Sequence, residues 1–278
     1  MSDRMPARAR AVAAELKQLR EEHSGLNTIQ AARRLGMSPT TLNRSETGRR
    51  LATIAEVSAL LAVYGITGPE RRRIMSLVEN IATSGWWDTN YKHTLLHALM
   101  QFEQQASAII AYSPTLIPGL LQTPNYARAI IGSKFSGDEL DQRVDQRLQR
   151  QRVLSKSPAL RYHVILDEAA LRRPFGGRYA MADQIRWIID AVKVGRATVN
   201  VIPFKHGGYD ASSSFSILEF PRLPRLVYIQ AVETSGFLDA TDETDRFPVR
   251  VSRMMKLALN SADSVNFMSK VVADHERS

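Results

Sequence analysis

Along the first third of the chain, apolar residues recur at three- and four-residue spacing, and most of these runs open on a helix-start signal. From Ala7 to His23, Val12, Leu16 and Leu19 fall on one helical face, while Arg8, Lys17, Arg20 and Glu21 lie off it. Gly25 stops this helix. Asn27-Thr28-Ile29-Gln30 is an N-cap with a capping-box glutamine and opens a short second helix to Leu35. Gly36-Met37 makes a tight turn, and Ser38, an N-cap followed by Pro39 at the first helical position, starts a third helix that Gly48 can end in left-handed geometry. Thr53-Ile54-Ala55-Glu56 is a further capping box, followed by Val57, Leu60, Leu61 and Tyr64 at i, i+3, i+4 and i+7. Gly68-Pro69-Glu70 begins a fifth helix with Ile74, Leu77, Val78 and Ile81 at the same spacing. The pattern predicts an all-α bundle of five helices, the second and third joined as a helix-turn-helix, with Leu26, Leu35, Leu42, Leu51 and Ile54 in its core.

Small and polar residues interrupt the pattern from Thr83 to Asp88, around the adjacent Trp86 and Trp87, whose rings are expected to clamp the linker onto the next domain or else to stack on a ligand. The expected division is a helical domain over 1–82, a linker over 83–94 and a second domain over 95–278. In that domain Leu95, Leu99, Phe102, Ala106 and Ile109 alternate by four and three, either a dimer seam or a face packed inside its own domain. Ala111 to Ile131 mixes proline turns with a short helix from about Thr123. Asp138 to Leu154 reads as a helix with Leu140, Val144 and Leu148 beneath and Arg143, Arg147, Arg150 and Arg152 on a solvated face. Beyond Pro158 the period changes: RYHVILDE, RATVNVIPF, SFSILEF and RLVYIQAV predict four strands, with a helix from Tyr179 to Val192 among them and a helical pair from about Asp242 to Val272. The fold class is therefore mixed: an all-α five-helix domain, then an α/β or α+β domain with one small sheet of about four strands and packed helices.

Composition narrows the chemistry. The net charge is +9 over 278 residues, and residues 1–80 hold 13 Lys and Arg against 8 Asp and Glu, so the excess is densest on the helical domain and favours a polyanionic partner there. With no cysteine there is no disulfide, thiolate nucleophile or Cys-ligated zinc. No apolar run approaches the ~18 residues of a membrane span, which sets the expectation of a cytoplasmic protein without a membrane partner.

Against this charge, the third helix acquires a meaning. Thr40, Thr41, Asn43 and Arg44 project hydrogen-bonding groups from its first two turns, Leu42 faces the other way, and Arg49-Arg50 follow its end; short polar side chains near a helix N-terminus with flanking cations suit major-groove reading. The stretch GLNTIQAARRLGMSPTTLNRSETGRR resembles the core of the Xre, or lambda-repressor-like, helix-turn-helix family, over roughly residues 8–80. The resemblance implies sequence-specific binding of a double-stranded DNA operator, usually as a homodimer. It makes Thr40, Thr41, Asn43 and Arg44 the base-edge candidates and Thr28, Ser38, Arg49 and Arg50 the phosphate candidates. The chain departs from that family at Thr28, where a glutamine is usual, at Ala31, where a bulkier apolar residue is usual, and at Ser45, where isoleucine is usual; the last two imply a thinner core.

IPGLLQTPNYARAI, RQRVLSKSPALRYHVILDEAALRRPFGG and VNVIPFKHGGYDASSSFSILEFP resemble the uncharacterised C-terminal domain that follows such a helix-turn-helix in many regulators of filamentous bacteria. That resemblance implies a regulatory and oligomerisation module, sometimes paired with a small protein encoded by a neighbouring gene, and brings no catalytic residues. Two readings result: a transcription regulator whose second domain dimerises and senses a ligand or partner, or an antitoxin-like module that neutralises a small protein and binds DNA for autoregulation. Catalysis is not expected, since Asp167 of the Asp167-Glu168 pair suits an N-cap and no nucleophile elbow or phosphate-cradling glycine spacing occurs. His93 and His97 share a helix face at i, i+4 but lack a third ligand, so no metal and no cofactor is expected. Arg172, Arg173, Phe175, His206 and Tyr209 are the candidate effector pocket, lining the loops around Gly176-Gly177 and Gly207-Gly208.

Overall fold

The computed structural model describes residues 5–79, 86–88, 92–156, 159–210, 213–230 and 234–277, with backbone alone described at 86–88 and 92–94. The side chains of Trp86, Trp87 and His93 therefore lie outside the described residues, as does most of the expected linker.

Five helices open the chain: α1 (Ala7–Gln18), α2 (Thr28–Arg34), α3 (Pro39–Glu46), α4 (Ile54–Val63) and α5 (Gly68–Glu79). The capping pattern read from the sequence is present as hydrogen bonds, for the side chains of Asn27, Ser38 and Thr53 accept from the backbone N–H groups of Gln30, Thr41 and Glu56. Leu16, Leu42, Val57, Leu60, Leu61, Tyr64 and Ile74 fill the core of this bundle. Two expected core residues are corrected: Leu51 and Ile54 are 49% and 51% exposed, because the loop after α3 and the first turn of α4 lie at the surface. α1 continues through a π-helical turn, Leu19–Ser24, on which Arg20 is buried rather than outside.

The second domain is built on one mixed sheet. Its strands are β2 (Ala108–Ser113), β3 (Arg161–Asp167), β4 (Thr198–Ile202), β5 (Ser214–Glu219), β6 (Leu226–Gln230) and β7 (Ser235–Leu238), and a short β1 (Trp86–Asp88) adds an edge, in the order β1-β7-β6-β5-β2-β3-β4. The four strands expected from sequence are β3 to β6; the sheet is larger than expected because β2 and β7 were not legible. Pairing is parallel from β2 through β3 to β4 and antiparallel elsewhere, so Ile109 lies opposite both Tyr162 and Leu218. Helical crossovers make the parallel half: α7 (Pro124–Ile131) and α8 (Gly137–Arg150) between β2 and β3, α9 (Glu168–Arg172) and α10 (Arg178–Lys193) between β3 and β4.

Alternation divides the sheet's faces. Ile109, Ala111, Tyr162, Val164, Leu166, Val199 and Val201 point into the larger core, shared with α6 (Lys92–Gln105), α10 and α13 (Ser261–Arg277). Tyr112, Ile165, Ile202, Phe215, Ile217 and Val227 point to the other side, where α12 (Arg246–Met255), preceded by the single turn α11 (Thr241–Thr244), covers them with Phe247, Val251 and Met254. The dimer seam is corrected here. Leu95, Leu99, Phe102, Ala106 and Ile109 are all buried in the larger core of their own chain, and only the first three are helical, since α6 ends at Gln105 and Ile109 belongs to β2. The solvated arginine face of α8 is corrected too: the Arg150 guanidinium is buried against both carboxylate oxygens of Glu103, each 2.6 Å away.

α1 belongs to both cores. Ala7 and Ala11 pack into the larger one, and Val12 and Leu16, on the opposite side of the same helix, pack into the N-terminal one. The Ala7 N–H donates to Asp239 Oδ2 at 2.7 Å, and Arg10 Nη1 donates to the carbonyl of Pro224 at 2.8 Å. The helix that anchors the N-terminal bundle is thus held by the second domain.

Candidate nucleic-acid interface

The turn between α2 and α3 is set by Gly36, whose φ of +65° lets the Met37 N–H return to the carbonyl of Ala32 at 3.1 Å. Ser38 then caps α3, its Oγ 3.0 Å from the Thr41 N–H and 2.8 Å from the Thr41 hydroxyl, with Pro39 at the first helical position. α3 ends at Gly48, φ +67°, after which the N–H groups of Arg49 and Arg50 both reach the carbonyl of Arg44.

The inner side of α3 is fixed by a buried ion pair. Arg20 Nε lies 2.8 and 3.0 Å from the two carboxylate oxygens of Glu46 and its Nη2 2.9 Å from Oε2, while the Tyr64 hydroxyl donates to Oε1 at 2.9 Å. Arg20 Nη1 also donates to the Leu26 carbonyl at 3.0 Å, which ties the α1–α2 loop to the same point. Burial, reinforced by the adjacent carboxylate, drives the Tyr64 phenol far above its usual range, so it stays a hydrogen-bond donor. A charge held this way is strongly destabilising to orphan, by about 3–5 kcal/mol.

The outer side presents the predicted reading groups. Thr40, Asn43 and Arg44 are exposed and Thr41 is half-buried, and Thr28 is half-buried at the start of α2. Arg33, Arg34, Arg44 and Arg49 are exposed and make no ion pair among the described residues. Ser38 faces solvent, but its hydroxyl is occupied as the cap. Arg50 is a different case, since its guanidinium is engaged within the helical domain: Nη2 binds Glu56 Oε1 at 2.6 Å and Nη1 binds Ser45 Oγ at 2.9 Å. Glu56 also accepts from the Thr53 N–H, so Arg50 braces the start of α4, and the guanidinium reaches the place that Ser45, in lieu of isoleucine, leaves thin. Arg50 holds Glu56 at a carboxyl pKa below its usual value. Ile29, 67% exposed beside Thr28, is an apolar member of this surface that helical periodicity does not reveal.

In the second domain the five candidate effector residues do not meet. Arg172 is engaged by Glu168 and Asp274, Phe175 packs edge-on against Tyr126 on the larger-core side, and Arg173 and His206 are exposed. Tyr209 lies on the opposite side of the sheet, where its hydroxyl donates to Asp167 Oδ2 at 2.7 Å and pairs with the Tyr112 hydroxyl at 2.9 Å. Asp167 is the N-cap of α9, its other oxygen accepting from the Ala169 N–H at 2.8 Å. Tyr209 does line a cleft of about 470 Å³, with α12 forming most of the remaining wall. Among the described residues no three His, Asp or Glu side chains gather as metal ligands, and no helix is long and apolar enough to cross a membrane.

Comparison with known proteins runs along the same division of the chain. Residues 11–74 match a family model described as a helix-turn-helix domain. The chain is also similar to a solved structure described as that of TrmBL2, an archaeal chromatin protein, at 12% identity and a TM-score of 0.33. That match covers 68% of this chain and spans 58% of the other. The comparison with curated proteins finds no match. The order of a helix-turn-helix followed by an uncharacterised domain is the one that the sequence resemblance implied. Residues 96–270 match the model of a domain of unknown function, DUF5753, which takes in more than half of the chain, and the protein belongs to that family.

Proposed function

We propose that the protein is a sequence-specific DNA-binding transcription regulator in which α3 enters the major groove and the second domain dimerises and senses a ligand or protein partner. The observation that carries this reading is the division of α3. Leu42 and Glu46 lock one side, while Thr40, Asn43 and Arg44 leave the other side's donors and acceptors unused inside the protein. Asn43 and Arg44 suit bidentate readout of adenine and guanine edges, and Arg33, Arg34 and Arg49 supply phosphate contacts around them. In a homodimer the two α3 helices address half-sites about one duplex turn, ~34 Å, apart.

The test is binding of the full-length protein to DNA upstream of its own gene against a shuffled fragment of equal length, at ~150 mM salt. The expected preference for the native sequence is ~10³ or more. Equal affinity for both fragments sinks the reading.

A further inference from the structure

The cleft beside α12 has a composition that the fold does not explain. Arg246, Arg250 and Arg253 stand on one face of α12 at i, i+4 and i+7 and all line it, together with Val249, Met254, Leu257, Tyr209, Asp210 and Asp245. Arg250 is matched by Asp210 at 3.1 Å, and Asp245 lies 3.8 Å from Arg225. Arg246 and Arg253 make no ion pair among the described residues. Between these two cations along α12 is Val249, 53% exposed, and Met254 and Leu257 line the same cleft. Tyr209 adds a ring whose hydroxyl is already occupied by Tyr112 and Asp167, so it presents an apolar surface. The result is an apolar wall flanked by two guanidinium groups with unfilled donors, in a space of ligand size.

We propose that this cleft binds a small amphipathic anion, a carboxylate, sulfonate or phosphate monoester joined to an apolar group, and that its occupancy is relayed to α1 through Asp239. Arg246 and Arg253 supply charge-assisted hydrogen bonds to the anion, and Val249, Met254, Leu257 and the Tyr209 ring cover the apolar part. The relay is short in sequence. Asp245 and Arg246, at the cleft, come directly after α11, and α11 comes directly after the turn at Asp239, the residue that holds the Ala7 N–H at the start of α1. A ligand that draws Arg246 inward pulls on that turn, and α1 is the helix common to both cores. This rests on the reading of the second domain as a sensing module and names its site and ligand class.

The test uses the full-length protein with anilinonaphthalene sulfonate, an aromatic sulfonate, as the probe, followed by fluorescence. Expected is saturable one-to-one binding that weakens tenfold or more in the Arg246→Gln/Arg253→Gln double variant, ~10-fold being the least that losing two charge-assisted hydrogen bonds implies. Val249→Asp should weaken it as well, and Lys193→Gln/Lys270→Gln, at exposed lysines outside the cleft, should leave it unchanged. These exposed substitutions leave both cores intact, so loss of binding cannot be ascribed to unfolding. Unsaturable binding, or equal affinity in all variants, overturns the site. A Val249→Asp variant that changes the mass in solution while retaining probe affinity assigns the face to contact between copies, and overturns it too. Amide exchange over residues 5–18 should change when the probe saturates the wild type and not when it is added to the arginine double variant; unchanged exchange overturns the relay. Because no readout uses DNA, failure here leaves operator binding standing, and failure of operator binding leaves the cleft standing.

Discussion

The guanidinium of Arg10 lies 4.0 Å from the centroid of the Phe220 ring, joining α1 to the loop between β5 and β6. Arg10 is 2% exposed; Nη1 donates to Pro224, while Nε and Nη2 are buried without an acceptor among the described residues. A Cβ added at Gly48, just past the end of α3, would sit 3.6 Å from its Cγ. One side chain thus touches the exit of α3, the helix that anchors it and the second domain.

Burial lowers the Arg10 pKa from 12.5 to about 9, with Asp239 opposing the shift. The folded state therefore releases the proton before the unfolded chain does, so above pH 9 the unfolded chain binds more protons and stability from this group rises with pH, the full penalty being felt below 9. Arg10→Met keeps the volume and removes the charge, and should lie within about 1.5 kcal/mol of wild type at pH 7. Arg10→Ala should cost about 2–4 kcal/mol, because a void opens beneath Gly48. Urea unfolding at pH 7 and pH 10 checks both the order and the sign: wild type should gain about 1 kcal/mol on Arg10→Met at the higher pH.

Glu46 ties α3 to α1 and α4 through Arg20 and Tyr64. Glu46→Gln removes the buried carboxylate and leaves Arg20 with the exposed Glu21, 3.1 Å away, as its ionic partner; it should destabilise the protein by up to about 3–5 kcal/mol, whereas Arg20→Met/Glu46→Leu should recover most of that loss. Chemical denaturation measures both. Additive losses in the double variant would show that the two side chains act separately.

In the second domain Glu103 compensates a pair of arginines. Arg150 chelates it, and Arg147, close by, donates to the Gln122 side-chain carbonyl oxygen at 2.6 Å and makes no ion pair among the described residues, with its pKa lowered to about 10, first by burial and then by Arg150. Lys156 caps the end of α6 beside them, its Nζ donating to the carbonyls of Glu103, Gln104 and Ala106. Glu103→Gln should cost about 3–5 kcal/mol and Arg147→Met much less, since the latter removes a buried charge without orphaning one. Thermal or urea unfolding that ranks them in the opposite order sinks this account.

These three networks mark the limit of what the sequence discloses. Caps are local, so Asn27, Ser38 and Thr53 could be read with their partners three residues on, and so could the alternation that places β3 to β6. Arg20, Arg150 and Arg10 meet partners 26, 47 and 214 residues away, and a local window sees only charges on an outer face. β2 was missed because Ala108–Ser113 is buried on both faces and shows no alternation, and Ile109 happens to continue the heptad spacing of α6. The exposed polar face of α3 was legible because a cap and short polar residues coincide there. In the sequence Arg50 looks as free as its neighbour Arg49, because the fold alone brings Glu56 back onto it.

That difference between Arg49 and Arg50 sharpens the test of the proposed interface. Arg44 and Arg49 are exposed and lack ion pairs among the described residues, whereas Arg50 is bound by Ser45 and Glu56, so the three should separate in DNA-binding assays. Arg44→Ala should relax preference at one base pair by about 1–3 kcal/mol while sparing affinity for unrelated DNA. Arg49→Ala should weaken all sequences alike and lower the slope of log affinity against log salt by about 1. Arg50→Ala should leave that slope unchanged and instead destabilise the helical domain by about 0.5–2 kcal/mol, since the brace on the α4 cap is lost. Affinities for the selected site and single-base variants, each at three salt concentrations, distinguish the three roles. A salt slope that falls as much in Arg50→Ala as in Arg49→Ala would mean that Arg50 leaves Glu56 for phosphate on binding. A uniform loss from Arg44→Ala would remove it from base readout and leave Asn43 as the reading residue on that turn.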